Sequence, residues 1–480
     1  MAQPHQLTLL AQRAALRAGE LDPVDLAEHY LRRIERHNAT VGAFLTVTAD
    51  RALSEARAAR ARLSAASRAG TAPDRLPPLL GVPLPVKDLT PVPGVRFTAG
   101  SAVFADRIAG AGAHVGQSLS EAGSVLLGKT NTPEFGLPPY TEGRLGPPAR
   151  TPYDLTRGAG GSSGGAAAAV AAGLAPAAQG SDGGGSIRIP ASCCGLVGVK
   201  PSRGRVSPAP LGDVAGLAVA GPLARTVRDA ALLLDVLAAP VPGDPVPLAP
   251  PDRPFLAWCD ALEHAPRRLR IGRWARPDVP GVEVDPAVLA AYEDASRLLE
   301  ALGHDVVDVP QPLAPGDRDT FTPVWAVLAA LPPVPPDRER DLMPLTRWLR
   351  EQGRAASGVE YARALLAMQA VGRKLAAAVE PFDAVLTPTL AQLPAPVGAL
   401  RDDADPAADF AAQVAFTPFT GPWNIAGLPS LSLPLGRTAA GLPIGVMLGA
   451  RHGAEGPLLA LAAQLETAAP WADRTPEGFA

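Results

Sequence analysis

With 480 residues, 47% of them hydrophobic, the chain can bury a sizeable core, and its length fits roughly two to four domains or one large α/β enzyme. A formal net charge of −3 and scattered basic residues exclude a strongly basic nucleic-acid surface. There is no apolar run of about 18 residues, Arg13 and Arg17 interrupt any leader-like start, and Cys193, Cys194 and Cys259 are too few for a disulfide framework or a four-ligand zinc site, so the expectation is a cytoplasmic protein with no membrane span and no metal.

Residues 6–18 read as an amphipathic helix closed by Gly19, and Asp22 and Pro23 supply the cap and first-turn proline of a second helix to about residue 37. An Ala/Arg/Leu-rich helix follows at 49–68, then a linker at 70–78. Beyond it the predicted elements alternate: strand 82–87, helix 111–122, strand 124–128, helix 164–174, strand 177–180 and helix 225–238. A strand–helix–strand unit spans 269–274, 285–302 and 304–309. The stretch 310–400 is proline-rich and reads as irregular, apart from helices near 341–352 and 358–378. Core character returns with strands at 384–386, 430–433 and 444–448 and a helix at 455–468. This alternation implies an α/β protein built on a largely covered, mixed or parallel sheet.

Two glycine-caged serine sites stand out. Residues 158–165 read Gly-Ala-Gly-Gly-Ser-Ser-Gly-Gly, and 180–190 read Gly-Ser-Asp-Gly-Gly-Gly-Ser-Ile-Arg-Ile-Pro. Glycines let backbone N–H groups approach a ligand closely, so a serine held among them is a candidate nucleophile beside ready-made oxyanion donors. A flexible Gly/Ser linker would not need the apolar helical and strand-like segments that flank and separate these glycines. None of the seven histidines, His5, His29, His37, His114, His264, His304 and His452, lies in a glycine-rich or elbow-like context, and Ile187-Arg188 after Ser186 breaks the nucleophile-elbow pattern.

The basic residues supply another candidate base. Of 44 Lys plus Arg only Lys87, Lys129, Lys200 and Lys374 are lysine, and arginine cannot give up its proton. Lys87 ends an apolar strand, where burial lowers an amine's pKa. Bringing a lysine from about 10.4 to near 8 costs on the order of 3 kcal/mol. Asp88 alternates to the other face of that strand and need not pair with it. Residues 123–130 match the phosphate-binding loop pattern letter by letter. There, however, a helix precedes and 125–127 is itself the strand, so Lys129 is read as structural.

Pro-Val-Lys-Asp at 85–88, Gly-Gly-Ser-Ser-Gly-Gly at 160–165, Gly-Gly-Ser-Ile-Arg-Ile-Pro at 184–190 and Gly-Leu-Val-Gly-Val-Lys-Pro at 195–201 together resemble the amidase signature family. The likeness runs from about residue 20 to the C-terminus, through Pro-Trp-Asn-Ile-Ala-Gly-Leu-Pro at 422–429 and Gly-Leu-Pro-Ile-Gly-Val at 441–446. Lys-Asp-Leu-Thr at 87–90, Gly-Lys-Thr-Asn-Thr-Pro-Glu at 128–134 and the closing Pro470-Trp471 are similar to the bacterial hydrolases related to 6-aminohexanoate cyclic dimer hydrolase. The resemblance implies the amidase signature fold, a large mixed β-sheet covered on both faces by helices. It also implies an N-terminal helical segment, 1–70, packed on a catalytic domain, 71–480, whose 310–400 region walls the substrate pocket.

The resemblance further implies a Ser–cisSer–Lys triad. Ser186 is then the nucleophile, Ser162, after a cis Gly161–Ser162 bond, relays its proton, and a neutral Lys87 is the base. Backbone N–H groups of Gly183, Gly184, Gly185 and Ser186 would bind the oxyanion. Ser163 either steadies Lys87 or the cis loop, or caps the following helix, while Asp182 and Arg188 brace the loop. Phe135, Gly136 and Trp325 are expected at the substrate. No cofactor is required. The expected substrate is a small carboxamide, linear or cyclic, with carbamates (urethanes) and nylon-type oligomers within the same chemistry, and the enzyme works as a monomer or homodimer without nucleic acid or membrane. The alternative is the amidase subunit of a tRNA-dependent amidotransferase; that subunit commonly has Gln where this chain has Ile189. Gly183 departs from the family's frequent Thr, which removes bulk beside the oxyanion donors and could widen the pocket or loosen the loop.

Overall fold

The computed structural model describes residues 3–210, 212–260 and 268–479; His264 lies outside them. Its strands are β1 (Phe44–Val47), β2 (Pro83–Lys87), β3 (Val125–Thr130), β4 (Ala177–Asp182), β5 (Val197–Lys200), β6 (Val219–Ala224), β7 (Arg270–Arg273), β8 (Asp305–Asp308), β9 (Ala384–Pro388), β10 (Ser430–Arg437) and β11 (Pro443–Gly449). They form one 11-stranded sheet in the order β1-β3-β2-β4-β6-β5-β10-β11-β9-β7-β8. β2 runs parallel to β3 and β4, and β7 parallel to β8 and β9, while the remaining pairs are antiparallel. The sheet is therefore mixed.

Successive side chains of a strand point to opposite faces, so a strand buried at every residue has cover on both. β2, β3, β5, β9 and β11 are buried throughout, whereas the edge strands β1 and β8 are mostly half-buried or exposed, and β7 and β10 reach water at their ends. Helices provide the cover. The alanine-rich helix Gly164–Ala171 is buried from Gly164 to Val170, its small side chains allowing close approach to the sheet. The helices Leu9–Ala18 and Pro23–Val41 end in left-handed Gly19 and Gly42. Asp22 caps the second of them by accepting from the Val24 and Asp25 N–H groups.

Two regions differ from the sequence expectation. The N-terminal segment is not purely helical: β1 lies within it and pairs antiparallel with β3, and Leu9, Leu26 and Tyr30 belong to the same core cluster as β2 and β3. The 310–400 segment is more regular than its prolines suggest. A further helix, Phe321–Ala330, tolerates Pro323 because the first turn needs no N–H there. Among the described residues no helix is long and apolar enough to cross a membrane.

Candidate active site

The neighbouring strands β2 and β4, third and fourth in the sheet, bring three sequence-distant residues together. Lys87 ends β2, Ser162 precedes the helix Gly164–Ala171, and Ser186 lies in the loop between β4 and the helix Arg188–Cys194. The Gly161–Ser162 peptide is cis. The Ser163 N–H donates to the Ser186 carbonyl (3.1 Å), which ties the two glycine-rich segments directly to each other.

Lys87 is fully buried, with its Nζ 2.8 Å from Ser162 Oγ, 3.0 Å from Ser181 Oγ and 3.3 Å from the Ser181 carbonyl. Burial pushes its amine down to about 7, against an opposing pull from Asp182. Its backbone N–H donates to Gln179 Oε1 (3.0 Å) where β2 and β4 meet through the Val86–Gln179 pair. Ser163 is the N-cap residue of its helix by position, but its hydroxyl makes no capping bond. Instead it donates to the Ser181 carbonyl (3.1 Å) and accepts the Ser181 N–H (3.2 Å). Ser163 thus holds the residue that holds Lys87.

Ser186 keeps 9% exposure, lines the cleft described below, and its hydroxyl takes part in no hydrogen bond among the described residues. No hydrogen bond joins it to the Ser162 hydroxyl. The Gly183, Gly184 and Ser186 N–H groups find no protein acceptor among the described residues. The Gly185 N–H is different, since it donates to Asp182 Oδ1 at 2.7 Å. Gly185 therefore leaves the expected set of oxyanion donors. Its glycine identity has another cause: at φ 134°, an added Cβ would meet Thr420 Oγ1 at 2.4 Å and Ile189 Cδ1 at 2.6 Å.

Asp182 and Arg188 are wholly buried and brace this loop. Arg188 Nε donates to Asp182 Oδ2 and Nη2 to Oδ1, each at 2.9 Å, a two-point pair. Burial opposes the charge on Asp182, yet Arg188, with Lys200 and Asn424, holds the carboxyl well below its usual range. The same guanidinium donates to the Thr420 carbonyl (3.0 Å) and Asn424 Oδ1 (2.7 Å), while Thr420 Oγ1 donates to the Gly184 carbonyl (2.7 Å). The loop is thereby clamped to the helix Gly421–Ala426 and the turn before it. Ser181, Gln179, Thr420 and Asn424 were not singled out in the sequence, although Ser181 and Asn424 lie inside the motifs quoted above.

A cleft of about 160 Å³, partly open to solvent, reaches Ser186 and Gly184. Leu137, Ile189, Phe321, Trp325, Phe410 and Ile425 give it an apolar wall. Trp325 stacks on Phe321 with ring centres 5.1 Å apart. A Cβ on Gly183 would touch the Trp325 ring at 3.4 Å, so the bulk missing at residue 183 is taken up by indole. Phe135 and Gly136 do not line this cleft, although Phe135 packs in one cluster with Leu137, Trp325 and Phe410. Phe135 packs on Phe104 beneath Val334 and Leu342, and a Cβ on Gly136 would come within 3.2 Å of Ser162 Oγ. Gly136 thus makes room for the Ser162 hydroxyl.

The other reactive side chains have local explanations. Lys129 pairs with Asp88 at 2.8 Å, both fully buried. Burial pushes the Cys193 and Cys194 thiols up, away from thiolate chemistry. Among the described residues, no group of three or more His, Cys, Asp and Glu is placed to hold a metal ion.

A mixed sheet carrying a buried amine, two serines and a clamped glycine loop at an apolar cleft defines a class of enzyme that acts on an acyl carbon. A family model described as Amidase matches residues 25–459. The chain belongs to the amidase signature family and is a hydrolase of amide C–N bonds. It is 34% identical over 476 residues to the acylamidase of Rhodococcus erythropolis, across 98% of this chain and 97% of that one. It is 35% identical over 499 residues to the 6-aminohexanoate-cyclic-dimer hydrolase of Paenarthrobacter ureafaciens, across 97% and 96%. A solved structure of 6-aminohexanoate cyclic dimer hydrolase matches with a TM-score of 0.89 at 32% identity over 99% of both chains.

Proposed function

We propose that the protein hydrolyses small carboxamides, linear or cyclic, through an acyl-enzyme on Ser186. Ser186 Oγ attacks the carbonyl carbon while its proton passes to Ser162 Oγ, and the Ser162 proton passes to neutral Lys87 Nζ. The oxyanion sits against the Gly183, Gly184 and Ser186 N–H groups, where one donor contributes roughly 3–4 kcal/mol in the transition state. The proton then returns from Lys87 through Ser162 to the departing nitrogen, the C–N bond breaks, and water cleaves the Ser186 ester by the same relay. In ligand-free sites catalytic hydrogen bonds are often long, and the Ser186–Ser162 contact is the one that substrate tightens.

The observation that supports this reading is Lys87: an amine with no carboxylate partner, wholly out of water, touching Ser162 at 2.8 Å. Carbamates present the same carbonyl beside nitrogen and fit the same steps, as do the nylon-type oligoamides suggested by the cyclic-dimer hydrolase relative. The test is Ser186→Ala assayed on aryl amides, lactams, oligoamides and carbamates ranked by kcat/KM. Loss of at least about 10³-fold in a folded protein is expected on every substrate that the parent cleaves. Full turnover by folded Ser186→Ala overturns the nucleophile.

A further inference from the structure

The cleft wall holds a buried amide that the mechanism above does not use. Gln413 sits on the helix Pro406–Phe416 and faces the cleft together with Phe410, Val414 and Thr417, the i, i+3, i+4 and i+7 spacing of one helical stripe. It is 5% exposed. Its Nε2 donates to Asp409 Oδ1 at 2.5 Å. The other carboxylate oxygen accepts the Tyr140 hydroxyl (2.6 Å) and the Asp402 N–H (3.2 Å). Burial and Asp409 push the Tyr140 phenol up, so it keeps its proton and donates. Burial pushes the Asp409 carboxyl up and these hydrogen bonds oppose it; as a carboxylate, Asp409 offers Gln413 only an acceptor, which takes the amide nitrogen. Gln413 Oε1 meets no donor among the described residues and is the side chain's free polar atom at the cleft.

We propose that Gln413 is a specificity residue whose Oε1 accepts an N–H of the substrate, so that the cleft selects substrates carrying that donor over oxygen isosteres. This rests on the amidase reading above. Besides its apolar wall the cleft is lined by Asp317, Arg318, Asp319 and Thr322, and Gln413 adds an oriented acceptor: a substrate lacking the donor leaves that acceptor unpaired and sets an ester oxygen against it. The donor is either the scissile N–H or the N–H of a second amide further along an oligoamide. Asp409 and Tyr140 act as positioning residues. Tyr140 also borders the serine loop, since a Cβ on Gly161 would lie 2.8 Å from its backbone nitrogen.

The test compares kcat/KM for matched pairs in which N–H is replaced by O, once at the scissile bond and once at a distal amide. Intrinsic reactivity cancels when each ratio is compared between variant and parent. Gln413→Leu and Gln413→Met are expected to lower the N–H-to-O ratio about tenfold in one arm, and the affected arm identifies the donor. Asp409→Asn is expected to lower the same ratio at least as far. Its Oδ1 keeps the Tyr140 bond while its Nδ2 donates to Gln413 Oε1, which turns the Gln413 NH₂ toward the substrate. Equal losses for N–H and O substrates in both arms, in folded Gln413 variants, overturn the proposal and leave the Ser186 assignment standing. Failure of Ser186→Ala to lose activity would sink the amidase mechanism instead, so the two failures are distinguishable.

Discussion

Lys87 and Lys129 sit on adjacent parallel strands, one step out of register, with Val86 opposite Lys129 and Lys87 opposite Thr130. Both side chains are wholly out of water. Lys129 meets a carboxylate, Asp88, at 2.8 Å, and burial's downward pull on its amine is opposed by that partner. Lys87 meets only hydroxyls and a carbonyl, and its amine falls to about 7. The two sites differ in the partner rather than in depth. A buried amine beside a carboxylate is held as a cation and serves the architecture, whereas one beside hydroxyls sheds its proton near neutrality and can serve as a base.

Substitutions break this comparison in opposite ways. Lys87→Met removes the base and is expected to cut kcat about 10²- to 10⁴-fold while the protein stays folded. Lys87→Arg does the same, because guanidinium keeps its proton; near-parental kcat in either variant would remove Lys87 from the mechanism. Lys129→Met instead strands Asp88 and is expected to destabilise the fold by about 3–5 kcal/mol in denaturant melts, with the folded fraction retaining kcat. Adding Asp88→Asn to Lys129→Met recovers part of that loss, since the stranded charge is gone. If Lys129→Met leaves stability unchanged, the structural role is wrong.

The pH dependence sharpens the same contrast. Only neutral Lys87 accepts a proton, so kcat/KM of the parent rises as pH passes through about 7 and levels off above it. Because the folded amine releases its proton at lower pH than the unfolded chain does, stability from this group rises with pH between about 7 and about 10.4. The Tm gain of Lys87→Met is therefore larger at pH 7 than at pH 10, and a pH-independent gain counts against a depressed amine. The smallest effect expected is at Gly183. Gly183→Thr presses on Trp325 and raises KM for bulky aryl amides about 3- to 10-fold with less change in kcat, which a substrate series measures directly.

Much of the site was legible because its residues lie in short runs whose local chemistry is unusual: a lysine ending an apolar strand, serines among glycines, Asp182 and Arg188 six residues apart. Gly185 shows the limit. Four consecutive N–H groups look equivalent along the chain, and only the Asp182 side chain folding back onto the loop removes one. The fold shows a similar limit at β6. No strand is expected at 219–224, which carries Pro222, a residue that cannot donate to a strand ladder. Yet β6 lies inside the sheet, and its pairing with β5 stops at Leu223, so Pro222 has a strand neighbour on one side only. Gln413, Asp409 and Tyr140 carry no motif, being about 270 residues apart in part and joined only by the folded cleft wall.

By itself the sequence determined the α/β class, the family and the candidates for the reacting groups, because periodicity, glycine placement and side-chain chemistry are properties of neighbours along the chain. The tertiary structure alone decided which of the two buried lysines lacking an ion pair, Lys87 and Lys200, reaches a serine hydroxyl, which glycine N–H groups stay free and which amide is turned to the cleft. Desolvation and hydrogen-bond partnership depend on what surrounds an atom in space, and that is set by segments far apart in the chain.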